Sequence, residues 1–219
     1  MTKVGFIGSG RIGGTVARLA IAAGYDVVLS NSRRLQTLKD LVEELGAHAQ
    51  AATPADAAAA GDLVVVNIPP RAYPAVPEKP LAGKPVLDTI NYIPQRDGRI
   101  PGLGGSLSSS EVLQRHLGMA HVVKVCNNIT FWHLASLARA AGAADRCALP
   151  IAGDNPAAKA TVTEFLDAIG YDTVDAGTLG AGGRRFQFGT RAFVTPYGTF
   201  SDQRGTPAGR AAILAAIDA

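Results

Sequence analysis

The residues best suited to chemistry stand near the start of the chain, where Gly8, Gly10 and Gly13 form a G-x-G-x-x-G pattern. An apolar run over 3–7 precedes the pattern, and apolar residues at helical spacing follow it. In such a strand–turn–helix the first glycine makes the tight turn, the second lets a pyrophosphate approach the backbone, and the third lets helix and strand pack closely. Free N–H groups at the start of the helix then face the phosphates. The pattern therefore predicts a dinucleotide site.

The stretch after the second predicted strand indicates which dinucleotide is bound. Folds that select NAD place Asp or Glu there to bind the ribose 2′-hydroxyl, but this chain reads Ser30-Asn31-Ser32-Arg33-Arg34 and has no acid over 27–39. Hydroxyl groups and a planar guanidinium suit a dianionic 2′-phosphate. The sequence predicts NADP(H) as cofactor; the alternative is a solvated pair of arginines on a loop.

The sequence contains none of the residue patterns typical of metal sites, thiol pairs or hydrolytic active sites. The four histidines form no short two-histidine motif and the two cysteines, Cys126 and Cys147, form no CxxC pair. We therefore expect no metal site, and both cysteines are expected to be buried packing residues. There is no Ser-His-Asp pattern or paired carboxylate motif either. These absences fit direct hydride transfer, for which no catalytic acid or base is assigned.

A different oxidoreductase would need one more group. When both partners are redox cofactors, the protein mainly holds the reacting carbons together and excludes water. A reductase of a carbonyl or imine metabolite would more often need a proton donor, for which Lys124, His133 and Tyr197 are the candidates. Lys124 is expected to be a strand residue with a solvated head group.

The elements that must position these residues alternate between strand and helix. Apolar strands are predicted at 3–7, 26–30, 47–51, 62–68, 85–90, 121–126, 148–152 and 171–175, with helical patterns between most of them. This alternation predicts an α/β fold with a doubly wound, mostly parallel Rossmann sheet. We expect an NADP-binding domain over 1–178 and a small C-terminal extension over 179–219 that contacts substrate or a second subunit. A glycine-rich loop over 92–109 is either a lid or an exposed insertion.

Composition excludes several other classes of protein. With 47% hydrophobic and 18% charged residues, the chain of 219 residues is typical of folded globular proteins. Its net charge of +3 comes without a block of like charges, so we expect no nucleic acid partner. No apolar run is long enough to span a membrane, and the first strand begins at Lys3 with no signal peptide before it. We expect a cytoplasmic enzyme.

Several separated segments share one resemblance. They are GFIGSGRIGG, SNSRR, NIPP at 67–70, VVKVCNN at 122–128, IAGDNPAAK at 151–159 and VDAG at 174–177. Over about residues 3–178 the chain resembles the NADPH-dependent reductases of the 5-deazaflavin coenzyme (coenzyme F-420). The resemblance implies hydride transfer between NADP(H) and that coenzyme, and a homodimer.

The resemblance also implies roles for individual residues. The pyrophosphate would be touched by Ser9, Arg11 and Ile12, the 2′-phosphate by Ser32 and Arg33, the nicotinamide by Ile68 and Pro69, and the partner ring by Asn128, Ile129 and Thr130. The Pro69 and Asn128 segments each follow a strand, at the edge where doubly wound folds bind ligands. Two alternatives remain open, a reductase of a carbonyl or imine metabolite and a non-catalytic NADP(H)-sensing protein.

Two further segments carry open interpretations. Phe131, Trp132 and His133 form either a pocket for a ring or the start of a helix in the core. After Gly177 the chain departs from the family pattern and carries Arg184, Arg185 and Arg191. These arginines either hold the anionic tail of a deazaflavin coenzyme or belong to a solvated, mobile segment.

Overall fold

The computed structural model describes residues 2–32 and 35–219. Within them, eight strands form one sheet in the order β3-β2-β1-β4-β5-β6-β7-β8. The strands are β1 (Lys3–Ile7), β2 (Asp26–Ser30), β3 (Ala49–Ala51), β4 (Leu63–Val66), β5 (Pro85–Asp88), β6 (His121–Lys124), β7 (Ala148–Gly153) and β8 (Asp172–Asp175). Every neighbouring pair is parallel except β6 and β7, which are antiparallel. The predicted doubly wound, mostly parallel sheet is confirmed.

Helices connect the strands and cover the sheet. They are α1 (Arg11–Ala22), α2 (Lys39–Leu45), α3 (Pro54–Ala60), α4 (Pro94–Asp97), α5 (Ser109–Leu117), α6 (Phe131–Ser136), α7 (Pro156–Ala168), α8 (Ala181–Arg184) and α9 (Arg210–Asp218). Within the described ranges, no helix is long and apolar enough to cross a membrane. The strand order reverses between β1 and β4, and in this type of fold the carboxyl ends of the strands open a ligand crevice there.

The segment after 178 packs against the core of the sheet. Phe186, Tyr197 and Ile213 are fully buried and belong to the same hydrophobic cluster as Phe6 and Leu29. The sequence shows little periodicity over 178–209 because this segment consists of turns and very short helices. This segment therefore extends the hydrophobic core around Phe6 and Leu29 rather than forming a separate core.

Two buried residues at the end of β6 and one just before β7 were assigned an environment from the sequence. Cys126 and Cys147 are buried free cysteines, as predicted. Lys124 was expected to reach solvent, and this is wrong: it is fully buried, and its Nζ donates to Ser110 Oγ at 3.3 Å. Asp88, its partner in register on β5, is equally buried. Burial lowers the pKa of Lys124 and raises that of Asp88, and each charge opposes the shift of the other.

Candidate active site

A cleft of about 760 Å³ lies at the carboxyl ends of β1, β4, β5 and β6. The glycine turn before α1 forms one end of the cleft. The segments that follow β4, β5 and β6 line it further along, and Phe193, Val194 and Phe200 of the tail complete the wall. The cleft thus coincides with the crevice that the strand order opens.

Two of the three motif glycines are required by the fold itself. Gly8 has φ +97°, and a Cβ there would lie 2.1 Å from the carbonyl oxygen of Asn67. A Cβ on Gly13 would lie 2.5 Å from the carbonyl oxygen of Gly8. Both distances are far below van der Waals contact, so no larger residue fits at either position without a shift of the backbone.

Gly10 differs, because the protein leaves room for a side chain there. Its φ is −71°, and the nearest atom to an added Cβ is Asn67 Oδ1 at 3.4 Å. Gly10 is the N-cap residue of α1 and has no side chain to accept a hydrogen bond. The helices α5, α6 and α7, by contrast, are capped by the side chains of Ser108, Thr130 and Asn155. The Gly13 N–H of the first turn donates to Asn67 Oδ1 at 3.2 Å, so the N–H groups of Arg11 and Ile12 are the ones left for a ligand, the arrangement that binds a phosphate.

The other residues predicted near the phosphates lie around this turn. Arg11 and Ile12 line the cleft, and the Arg11 guanidinium lies 5.0 Å from the centre of the Phe131 ring, within cation–π range. The Ser9 hydroxyl donates to the carbonyl of Ser30 at 2.9 Å, so it joins the turn to β2. It contacts the protein rather than the open cleft.

The predicted 2′-phosphate loop begins directly after β2. The Ser30 hydroxyl is buried and donates to the carbonyl of Phe6 at 2.7 Å, so it is not available to a ligand. Asn31 is half-buried and donates to Thr37 Oγ1 at 2.8 Å, and Ser32 is exposed. Arg33 lies outside the described residues, so its predicted contact with the 2′-phosphate stays a prediction.

The segment after β4 forms the floor of the cleft and contains a residue that the sequence analysis did not select. Ile68 and Pro69, predicted to contact the nicotinamide, both line the cleft. Asn67 beside them accepts from the Gly13 N–H at 3.2 Å and donates to Thr89 Oγ1 at 2.7 Å. It joins the glycine turn to the ends of β4 and β5. A polar residue immediately after a buried valine strand was the signal for it.

Of the three residues predicted to contact the second substrate, two line the cleft and one does not. Ile129 and Thr130 line the cleft. Asn128 does not: it is fully buried, and its Nδ2 donates to the carbonyl of Ala192 at 3.0 Å. Because this amide is turned toward the tail, Asn128 supports the wall of the cleft from behind rather than facing a ligand.

Two other asparagines meet at the edge of the cleft. The Asn127 Nδ2 donates to Asn91 Oδ1 and to the carbonyl of Phe186, both at 3.1 Å, and Asn91 returns a hydrogen bond to the carbonyl of Asn127. Both residues line the cleft. Each follows its strand within three residues, which is the signal the sequence offered for them.

Aromatic rings surround the outer part of the cleft. Phe131 and Trp132 line it with ring centres 4.2 Å apart, and Phe193 and Phe200 line it with ring centres 6.0 Å apart. His133 instead points into the protein, where its Nε2 donates to the carbonyl of Asp202 at 2.6 Å. Phe131 and Trp132 thus line the cleft at the start of α6, so a pocket for a ring there stays a prediction, whereas His133 lies in the core.

None of the three candidate proton donors reaches the cleft. Lys124 and His133 are buried against other partners, and the Tyr197 hydroxyl, also fully buried, donates to the carbonyl of Ala148 at 2.8 Å. Burial raises the pKa of Tyr197.

The cleft lining itself offers no acid–base group near neutrality among its described residues. Its ionisable members are Arg11, Arg96, Asp97 and Cys126. The hydrogen bond from Arg96 lowers the pKa of Asp97, while burial raises that of Cys126 to about 12.

The tail arginines have acidic partners within the protein. Arg184 pairs with Glu111 at 2.6 Å, and Arg185 pairs with Asp218 of α9. Arg184 lines a separate groove of about 390 Å³, and Arg191 is exposed. For Arg184 and Arg185 the proposed mobile segment is wrong, because both are anchored. Neither of these two lines the main cleft, and a contact with the anionic tail of the coenzyme stays a prediction.

The chain is similar to known proteins in both sequence and fold. The family model described as NADP oxidoreductase, coenzyme F420-dependent, matches residues 3–92. A hypothetical protein from Sinorhizobium meliloti is 30% identical, with a TM-score of 0.74 over 89% of this chain and 93% of that one. The chain belongs to the coenzyme F420-dependent NADP oxidoreductase family. Its fold and its NADP-dependent oxidoreductase class are those of this family.

Two further solved structures extend the comparison. A protein from Arthrobacter sp. FB24, provisionally described as an F420-dependent NADP reductase, is 28% identical with a TM-score of 0.70 over 85% of this chain and 90% of that one. An imine reductase from Myxococcus stipitatus is 20% identical with a TM-score of 0.59, over 84% of this chain and 57% of that one. The latter shares the fold alone. No curated protein sequence matches the chain.

Proposed function

We propose that this enzyme transfers a hydride between NADP(H) and a 5-deazaflavin coenzyme. The observation that carries the proposal is the composition of the cleft beyond the nicotinamide end. It presents aromatic rings, including Phe131, Trp132 and Phe193, and its described lining holds no side chain that would donate a proton near neutral pH. A planar redox coenzyme needs a surface to stack on and carries its own electronic chemistry.

The residues divide the work between the two ligands. The uncapped start of α1, with Gly10 and Arg11, would hold the pyrophosphate, and the loop with Asn31, Ser32 and Arg33 would hold the 2′-phosphate. Beyond them, Ile68 and Pro69 would support the nicotinamide, and Ile129 and Thr130 would flank the acceptor ring. The protein's part in the reaction is to align the two rings and exclude water.

The proposal is tested by mixing the purified protein with NADPH and the oxidised deazaflavin coenzyme. The visible absorbance band of the coenzyme should disappear as NADPH absorbance falls, with one equivalent of each consumed. The same mixture with NADH in place of NADPH is the matched control and should react much more slowly.

Other outcomes would favour the alternatives. If the deazaflavin band persists while a cyclic imine or a ketone consumes NADPH, the enzyme reduces a metabolite directly and obtains its proton from water. If NADPH binds and no acceptor reacts, the chain is a sensor of NADP(H) and the proposed function is wrong.

A further inference from the structure

Backbone strain in the described chain is concentrated at the cleft. Fourteen described residues with positive φ are glycines, which adopt that conformation at no steric cost. Two are not: Cys126 at +56° and Val194 at +64°. Both line the cleft, although they lie on different segments of the chain.

Val194 is the more strained of the two. Its φ and ψ of 64° and −44° and a hydrogen bond from the Thr195 N–H to the Phe193 carbonyl at 2.7 Å define a tight γ-turn with positive φ. This turn is rare in proteins, and a β-branched side chain makes a positive φ more costly still. Such a conformation persists only where the surrounding structure enforces it.

Asn128 is the residue that enforces the turn. Its backbone carbonyl accepts from the Val194 N–H at 2.8 Å, and its side-chain Nδ2 donates to the carbonyl of Ala192 at 3.0 Å. The two hydrogen bonds hold the residues on either side of Phe193. Because Asn128 is fully buried, both bonds are shielded from water.

The turn determines what the tail presents to the ligand. Phe193 and Val194 both line the cleft, and Phe193 packs edge to face against Phe188 with ring centres 5.4 Å apart. A relaxed backbone at Val194 would redirect both side chains. The position of this wall is therefore set by the strained turn and its anchor.

We propose that the Asn128–Val194 turn is a positioning device for the second substrate: it fixes the tail wall so that the acceptor ring is held against the nicotinamide and water is excluded. Asn128 acts through Val194 and Phe193, and touches neither ligand. This inference rests on the proposed function only in placing an acceptor at this end of the cleft.

Two substitutions at one position separate strain from side-chain volume. Val194→Gly removes the strain and also frees the backbone to leave the positive φ, so that the wall can move, whereas Val194→Ala removes two methyl groups but keeps a Cβ at positive φ. We expect Val194→Gly to raise the KM for the deazaflavin coenzyme about tenfold or more and to lower kcat, since small misplacements of a reactant are costly. Val194→Ala should change the KM by less than about threefold. The Kd for NADPH, set mainly at its phosphates, should stay within about twofold in both.

A second readout needs no acceptor. The fluorescence emission of bound NADPH reports how well the nicotinamide is shielded from water, and it should fall in Val194→Gly but not in Val194→Ala. Asn128→Ala removes the side-chain bond to Ala192 but keeps the backbone bond to Val194, so it should lower the emission by less than Val194→Gly does. Val194→Gly suits the native backbone, so it decides the matter if Asn128→Ala does not fold.

The inference is overturned if Val194→Gly keeps the wild-type KM, kcat and NADPH emission, because the strain would then serve the fold alone. Failure of the proposed function gives a different result. In that case the wild-type protein does not reduce the deazaflavin coenzyme at all, and the emission of bound NADPH in the three variants still tests the turn.

Discussion

At the scale of single residues, the glycines of the first turn differ in what a side chain would meet. Gly10→Ala should leave the fold intact and weaken NADPH binding at least about tenfold, because the added methyl group occupies the approach of the pyrophosphate. Gly13→Ala should instead lower the melting temperature, because its Cβ would lie 2.5 Å from the Gly8 carbonyl oxygen. Thermal unfolding and NADPH titration of both variants separate the two effects. Unchanged affinity in a folded Gly10→Ala protein would mean that the turn is structural only.

The preference for NADPH over NADH also depends on single residues. A charge-assisted hydrogen bond to the 2′-phosphate contributes about 1.5 to 3 kcal/mol, or roughly tenfold to a hundredfold in affinity. Arg33→Ala should therefore weaken NADPH binding by that factor and leave NADH binding nearly unchanged. Arg71→Ala, which removes an arginine whose side chain donates to the Asp97 carbonyl, is the matched control. Equal losses for both cofactors would remove Arg33 from the 2′-phosphate site.

Sequence could identify the residues at the glycine turn but not the direction of each side chain at the far end of the cleft. The turn is recognisable because its steric demands select glycine at fixed spacing. After β6 the chain reads Asn127-Asn128, and sequence offers no way to tell which amide faces the ligand. That choice depends on the positive φ of Cys126 and on the tail, whose position follows from tertiary contacts alone.

At the scale of elements, β5 and β6 place two buried ionisable residues, Asp88 and Lys124, opposite each other in register. Lys124→Met should cost about 1–3 kcal/mol of the free energy of unfolding, because it removes the hydrogen bond to Ser110 and the charge that favours ionisation of buried Asp88. Adding Asp88→Asn to Lys124→Met should recover part of that loss, since a neutral pair has no uncompensated charge. Urea unfolding of the three proteins measures both values. A double variant less stable than Lys124→Met would contradict this account.

The α5 and α8 helices are linked by Glu111, whose carboxylate accepts from the backbone N–H of the N-cap residue Ser108 and pairs with Arg184. Partial burial opposes its ionisation, but the hydrogen bonds from Ser108 and the charge of Arg184 outweigh burial and lower its pKa. A lowered folded pKa means that the stabilisation is present above the unfolded value, near 4.3, and is lost as the pH falls through the folded value.

Glu111→Gln tests this linkage because glutamine can still form the capping box. The variant should be less stable than the wild type by below about 1 kcal/mol at pH 7, given that the pair is partly exposed to solvent. The difference should shrink as the pH falls through the lowered pKa of Glu111, because the protonated carboxyl group carries no charge, as in glutamine. Thermal unfolding from pH 7 to pH 3 measures it, and a difference that grows in acid would have the wrong sign.

Sequence predicted the elements of the nucleotide-binding half closely, and those of the second half less well. The bounds of β1 and β2 match because apolar runs there end at glycine or polar residues. The helix predicted near 134–141 instead begins at Phe131, where the Thr130 hydroxyl accepts from the His133 N–H. Lys124 was misplaced because a strand covered on both faces has no solvent side that its alternation could mark.

At the scale of the whole molecule, NADPH should stabilise the fold against heat. A ligand at one hundred times its Kd adds about 2.7 kcal/mol, which for a chain of this length raises the melting temperature by roughly 5–10 °C. NADH at the same concentration should raise it much less. Equal shifts for both cofactors would contradict the preference for NADP(H).

The homodimer that the resemblance implies also concerns the whole molecule. The surface exposes large apolar side chains, among them Leu214 of α9 and Phe200, whose side chain is 68% exposed. Apolar surface of this kind is often covered in assemblies. Sedimentation should give a mass near twice 22.6 kDa. A single species of 22.6 kDa would show that the chain functions as a monomer.

The tail wall, with Phe193 and Val194 held over the cleft by Asn128, has a consequence for biosynthesis. All eight strands leave the ribosome before this segment does, and domains fold progressively as the chain emerges. A nascent chain therefore has its phosphate-binding turn well before the wall that holds an acceptor ring. The wall that covers the acceptor end of the cleft is completed last, so an incomplete chain that bound NADPH would leave that end of the cleft open.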